Sequence, residues 1–61
     1  MTIQELKTKV ASLEMSLEFM RINQADFIKQ MGKRRYDDLL NDVLDQYRHY
    51  KNLLNKKENN T

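Results

Sequence analysis

The chain has 61 residues, a formal net charge of +2, one glycine, and neither proline nor cysteine. This length allows one small domain, and the lack of cysteine excludes a disulfide scaffold and thiolate metal sites. The mild positive charge does not by itself indicate a nucleic-acid partner. Because so short a chain buries little surface and has no covalent or metal staple, we expect it to oligomerise.

The composition predicts an all-α protein. Turn-forming residues are almost missing, and the common types, such as Leu, Lys, Gln and Glu, favour helices. No segment has the apolar length needed to cross a bilayer, and the opening stretch M-T-I-Q-E-L-K lacks the layout of a signal peptide. We therefore expect a cytoplasmic protein without a membrane span.

The first half of the chain has the pattern of one long helix. Thr2 and Glu5 have the spacing of a capping box, which predicts a helix that starts at residue 3. Apolar residues then recur at alternating steps of three and four, the spacing of a coiled-coil seam, and this pattern predicts a helix over 3–31. The seam positions are Ile3, Leu6, Val10, Leu13, Leu17, Met20, Phe27 and Met31.

Three further apolar residues, Met15, Phe19 and Ile22, are interpreted as a second flank of this seam. A wider apolar stripe indicates that the helix meets more than one neighbour. Met15 lies outside the seam spacing, and its adaptable side chain makes it a candidate for contact with a partner protein.

Two positions in the middle of the chain compete as the place where it reverses. Asn23 and Asp26 resemble a helix start, with an Asn cap and an acid at the third helical position. Gly32 can adopt the left-handed conformation that ends helices. The seam keeps its phase through Asn23 and changes phase after Met31. We favour reversal at Gly32, with a break near Asn23 or one nearly continuous helix as alternatives.

The second half predicts a helix over 34–57, with a polar tail at 58–61 that we expect to fray. Acidic residues near its start and basic residues near its end suit the helix dipole. The predicted architecture is a single domain over 1–57, an antiparallel two-helix hairpin that self-associates, preferably as a dimer, into a helical bundle or coiled coil. The second seam comprises Tyr36, Leu40, Val43, Tyr47, Tyr50 and Leu54.

A basic cluster surrounds the predicted reversal. Its positive side chains could contact a partner or neutralise phosphates, and Tyr36 beside them could stack on a base. The alternative interpretation is a solvated turn whose charges keep the bend soluble. The basic cluster consists of Lys29, Lys33, Arg34 and Arg35.

Asp38, Asp42, Asp45 and His49 share one face of the second helix. A carboxylate and an imidazole one turn apart could hold a metal ion, but metal sites in bundles draw their ligands inward from several helices. We therefore interpret this face as a solvated acidic stripe and predict neither a metal nor a cofactor.

Two short segments resemble known families. Residues 6–19, L-K-T-K-V-A-S-L-E-M-S-L-E-F, resemble the opening of the short coiled-coil SlyX family, which implies a coiled-coil oligomer with no known chemistry. Residues 41–45 are faintly similar to the S-Q-x-L-D signature of the sporulation aspartyl-phosphate phosphatases, which are helical hairpins. Asn41 and Asp42 replace the Ser and Gln of that signature, so its activity is not carried over.

The sequence contains no phosphate-binding glycine loop and no nucleophile–base set, so we do not expect an enzyme. The leading hypothesis is a small interaction or regulatory protein that oligomerises through its seams and binds another protein through exposed helix faces. The alternative is a helical bundle that binds RNA or DNA through the basic cluster.

Overall fold

The structure, a computed structural model, describes residues 1–59, which form three α-helices and no strand. The helices are α1 (Ile3–Ile22), α2 (Gln24–Met31) and α3 (Lys33–Asn59). The predicted all-α class is confirmed.

Local side chains fix the start of α1. The Glu5 amide donates to Thr2 Oγ1 at 3.1 Å, and the Thr2 amide donates to Glu5 Oε1 at 3.2 Å. This reciprocal pair confirms the predicted capping box. The hydrogen bonds from Thr2 hold the pKa of Glu5 below its ordinary value.

Both candidate breaks in the middle of the chain are present, so the prediction of one helix over 3–31 is wrong. Asn23 ends α1 with φ −102° and ψ 22°, and its side-chain Nδ2 donates back to the Phe19 carbonyl at 2.9 Å. The expected Asn cap is therefore absent, because this side chain bonds the end of α1 rather than the start of α2. Gly32 has φ 87° and ψ 152°, a positive φ but not the left-handed helical conformation.

After Gly32 the chain runs back along itself. One straight helix of 61 residues would be about 90 Å long, whereas the longest dimension of the protein is 46 Å. The Tyr47 hydroxyl donates to Glu14 Oε1 at 3.0 Å, and Lys57 Nζ donates to the Met1 carbonyl. Since later residues of α3 contact earlier residues of α1, the two helices lie antiparallel.

The core lies between α1 and α3. Leu6 and Tyr36 are its most completely buried members, with 1% and 2% of their surface exposed. The Tyr36 hydroxyl donates to the Met20 carbonyl at 3.2 Å, so this buried polar group has a partner. Val10, Leu13 and Met20 complete the buried set.

The bounds of α3 are wider than predicted. It begins at Lys33 rather than residue 34, and it includes Glu58 and Asn59, which the prediction assigned to a frayed tail. Residues 60 and 61, the rest of that predicted tail, lie outside the described residues.

Candidate interaction surfaces

The predicted seam residues are all buried or half-buried, but α1 and α3 differ in how well their seam residues are covered. Within residues 1–59, four of the five buried core residues come from α1, and α3 contributes only Tyr36. The apolar side of α3 therefore keeps part of its surface in contact with water. The half-buried seam residues are Ile3, Leu17, Phe27, Met31, Leu40, Val43, Tyr47, Tyr50 and Leu54.

Met15, Phe19 and Ile22 are exposed on the side of α1 that points away from α3. Their exposed fractions are 73%, 59% and 67%. Their interpretation as a second flank of the seam is wrong, because Met15 lies two residues, or about 200° around the helix, beyond the buried Leu13. These apolar side chains form a separate surface, with Met15 fully accessible to a partner.

The same side of α1 is uncharged along almost the whole helix. Its first half carries small or neutral polar residues, all exposed, beside an open groove of about 420 Å³. Sequence reasoning missed this surface, although the recurrent absence of charge at helical spacing could have revealed it. We define the outer face of α1 as Gln4, Thr8, Ala11, Ser12, Met15, Phe19 and Ile22.

Charged residues border the outer face of α1. Arg21 donates to both carboxylate oxygens of Glu18, with the shorter distance 2.5 Å. This hydrogen bond holds the pKa of Glu18 below its ordinary value and raises the pKa of Arg21. Lys7, on the same border, is exposed and makes no ion pair within residues 1–59. The border therefore carries one paired carboxylate and one unpaired ammonium group.

Around Gly32, the basic cluster is fully open to solvent. Its four side chains are exposed, and none of them makes an ion pair or a side-chain hydrogen bond within the described part of the chain. The charges are therefore available to an anionic partner. The cluster holds Lys29, Lys33, Arg34 and Arg35.

Tyr36 does not join the basic cluster as a stacking platform. Its side chain is buried, its hydroxyl bonds the Met20 carbonyl, and its ring lies 6.1 Å from the Phe27 ring. The prediction that Tyr36 could stack on a base is wrong, because this ring packs into the core that joins α3 to α1.

The acidic stripe of α3 is exposed and partly engaged with its own neighbours. Gln46 Nε2 donates to Asp42 at 3.5 Å, and Arg48 lies 3.9 Å from Asp45. His49 packs its ring against Tyr50, with 5.2 Å between centroids. Among residues 1–59 no group of three His, Asp or Glu side chains has a geometry that could hold a metal ion.

Comparison with protein-family models, with curated proteins and with solved structures found no match to this chain. In the part of the chain that the structure describes, no helix is both long and apolar enough to cross a membrane.

Proposed function

We propose that this chain is a small, non-enzymatic interaction protein of the cytoplasm. In this proposal it is a helical hairpin that self-associates through its apolar helix surfaces and binds another protein through exposed helix faces. Its role is to hold or regulate a partner rather than to transform a substrate.

The observation that carries this proposal is the amount of surface left uncovered. The accessible surface is 4871 Å², whereas a compact monomer of 7.4 kDa exposes about 4,200 Å². The excess is roughly 650 Å², close to the roughly 800 Å² that each partner buries in a standard protein interface. Burying one interface of ordinary size would reduce the accessible surface of the chain to that of a compact monomer of the same mass.

The excess includes apolar side chains that a neighbour could cover. On α3, Leu40, Val43, Leu44 and Leu53 are all only half-buried. One helix packed against α3 cannot cover an apolar stripe this wide, and helical bundles solve that problem by adding a second helix pair. Association is therefore the mode of action that this surface favours.

Sedimentation tests self-association directly. We expect the wild-type chain to sediment as an oligomer at micromolar concentration, and Val43→Asp to shift it towards the monomer, because a buried unpaired carboxylate is costly. Asn41→Asp is the matched control, since it adds the same charge at an exposed position of the same helix. A folded wild-type monomer at micromolar concentration would contradict the proposal.

The basic cluster supports a second candidate function, the binding of RNA or DNA. Its side chains are exposed and without ion pairs, so they are free to neutralise phosphates. This function requires affinity that weakens as salt is added and that falls when Lys33, Arg34 and Arg35 are changed together to Ala. The control changes Arg48, Lys51 and Lys56 to Ala, which removes equal charge from exposed positions of α3 outside the cluster. Equal effects from both triple variants would show that net charge alone is responsible.

A further inference from the structure

We infer that the outer face of α1 is a contact between two copies of this chain, with the two α1 helices antiparallel about a two-fold axis at the level of Leu13. The inference rests on the proposed self-association and adds a contact on α1 to the one proposed on α3. The seam side of α1 is not available for this role, because its central residues already pack against α3 within one chain.

Side-chain size changes along the outer face, from small residues to large ones. Small residues, Thr8, Ala11 and Ser12, occupy its first half, and the large residues Met15, Phe19 and Ile22 occupy its second half. A parallel pair would set large against large and small against small, which crowds one end and leaves gaps at the other. An antiparallel pair sets each large residue against a small or slender one, so the face fits a second copy of itself.

The register follows from these sizes. A two-fold axis at Leu13 places Met15 opposite Ala11 of the second copy. It also places Phe19 close to Thr8 of the second copy, and Ile22 opposite Gln4. All of these residues are exposed in the single chain and carry no charge, so bringing them together leaves no buried ion without a partner.

The border of the face carries two opposite charges, Lys7 and Glu18. Antiparallel helices that meet face to face bring the same border of each together. In this register Lys7 of one copy lies beside Glu18 of the other, and symmetry makes the pair twice. Within one chain these residues are about 16 Å apart along the helix, and in a parallel pair they are equally remote. The charges therefore favour the same orientation as the sizes.

Cysteine cross-linking tests the register, and the chain suits it because it has no cysteine of its own. Gln4→Cys and Ile22→Cys are prepared with different tags, mixed, and treated with a short thiol cross-linker. In the antiparallel register these two positions face each other, whereas the same position in the two copies is about 27 Å apart along the helices. We expect the yield of the cross-linked mixed dimer to be several-fold higher than the yield of a cross-linked dimer formed by either variant alone. Asp42→Cys, at an exposed position on α3, measures background from random collision.

Charge reversal tests the border independently. Lys7→Glu and Glu18→Lys should each weaken the dimer about three- to tenfold in Kd by sedimentation, since each disturbs two exposed ion pairs between the copies. Glu18→Lys also removes the partner of Arg21 within the chain. The double variant, Lys7→Glu with Glu18→Lys, should recover most of the affinity that each single variant loses. Rescue within one chain is not possible at a separation of three helical turns, so restored affinity reports a contact between copies. Circular dichroism at matched concentration shows whether each variant keeps its helices.

Several outcomes would overturn the inference. A wild-type dimer whose Gln4→Cys and Ile22→Cys mixture cross-links no more than Asp42→Cys refutes this surface and leaves the proposed self-association intact. Strong cross-linking of each variant with itself refutes the antiparallel orientation. A wild-type monomer refutes both proposals, and flotation of that monomer with phospholipid vesicles, abolished by Phe19→Ser, would assign the face to a membrane surface.

Discussion

Asn23 and Gly32 both interrupt the helices, yet they do different things to the chain. At Asn23 the backbone angles are open to any residue, and α2 continues from α1 with the apolar seam in phase. At Gly32 the φ of 87° and ψ of 152° lie in a region that is essentially reserved for glycine, and the chain then runs back along α1. The first break bends the chain, and the second reverses it.

The contacts around each break explain the difference. Along a straight helix the Cα atoms of Phe19 and Phe27 would be separated by a rise of about 12 Å. With the bend at Asn23, the centroids of the two rings are 5.8 Å apart. Beyond Gly32, Tyr36 turns inward and its hydroxyl reaches the Met20 carbonyl. The reversal is therefore held by a buried side chain four residues after the glycine, whereas the bend is held by exposed or half-buried groups.

The largest expected effect is at Tyr36, the residue that fastens the reversed chain. Tyr36→Ala should lower the free energy of unfolding by about 3–5 kcal/mol, as for other buried aromatic residues, measured by urea denaturation at fixed protein concentration. Tyr36→Phe keeps the ring and loses only the hydrogen bond, so we expect about 1 kcal/mol. Equal losses for the two variants would show that the hydroxyl, rather than the packed ring, holds α3 in place.

Gly32 should give the next effect. A Cβ added at Gly32 would meet no atom within 4 Å, so the cost of Gly32→Ala comes from the backbone alone and should be about 1–3 kcal/mol of unfolding free energy. Gly32→Asn should cost as much, because Asn is tolerated in the left-handed helical region and ψ here lies outside it. A variant with Ala at this position and an unchanged urea midpoint would mean that the reversal does not need a positive φ.

Much of this fold can be read from periodicity. The alternation of three and four residues picked out side chains that are all buried or half-buried in the structure, and the change of phase after Met31 lies next to Gly32, where the backbone has a positive φ. Cap chemistry was a poorer guide at Asn23, because an Asn side chain can bond backward to the preceding helix as easily as forward to the next. Local motifs of this kind do not say which neighbour a side chain will choose.

The candidate surfaces were harder to predict, because exposure depends on which helix covers which side. We interpreted Met15, Phe19 and Ile22 as a flank of the seam, although the angle of about 200° between Leu13 and Met15 already puts Met15 on the other side of the helix, and the structure shows all three exposed. Tyr36 was a candidate for both the core and a stacking site, and burial decided between them. The apolar pattern of a helix shows where stripes of apolar residues lie, but it does not show which stripe the neighbouring helix covers.

The smallest effect should be at Asn23, and a matched pair of variants can isolate it. Asn41 is exposed in the middle of α3 and its side chain makes no hydrogen bond within residues 1–59, so Asn41→Ala should stabilise by up to about 0.7 kcal/mol through helix propensity. Asn23→Ala gains propensity but loses the hydrogen bond to the Phe19 carbonyl, so the net change should stay within about 0.5 kcal/mol. The difference between the two changes in unfolding free energy, measured by urea denaturation, gives the contribution of the hydrogen bond from Asn23 to stability. A loss above 1 kcal/mol for Asn23→Ala alone would show that the bend, like the reversal, is a feature on which the packing of the whole chain depends.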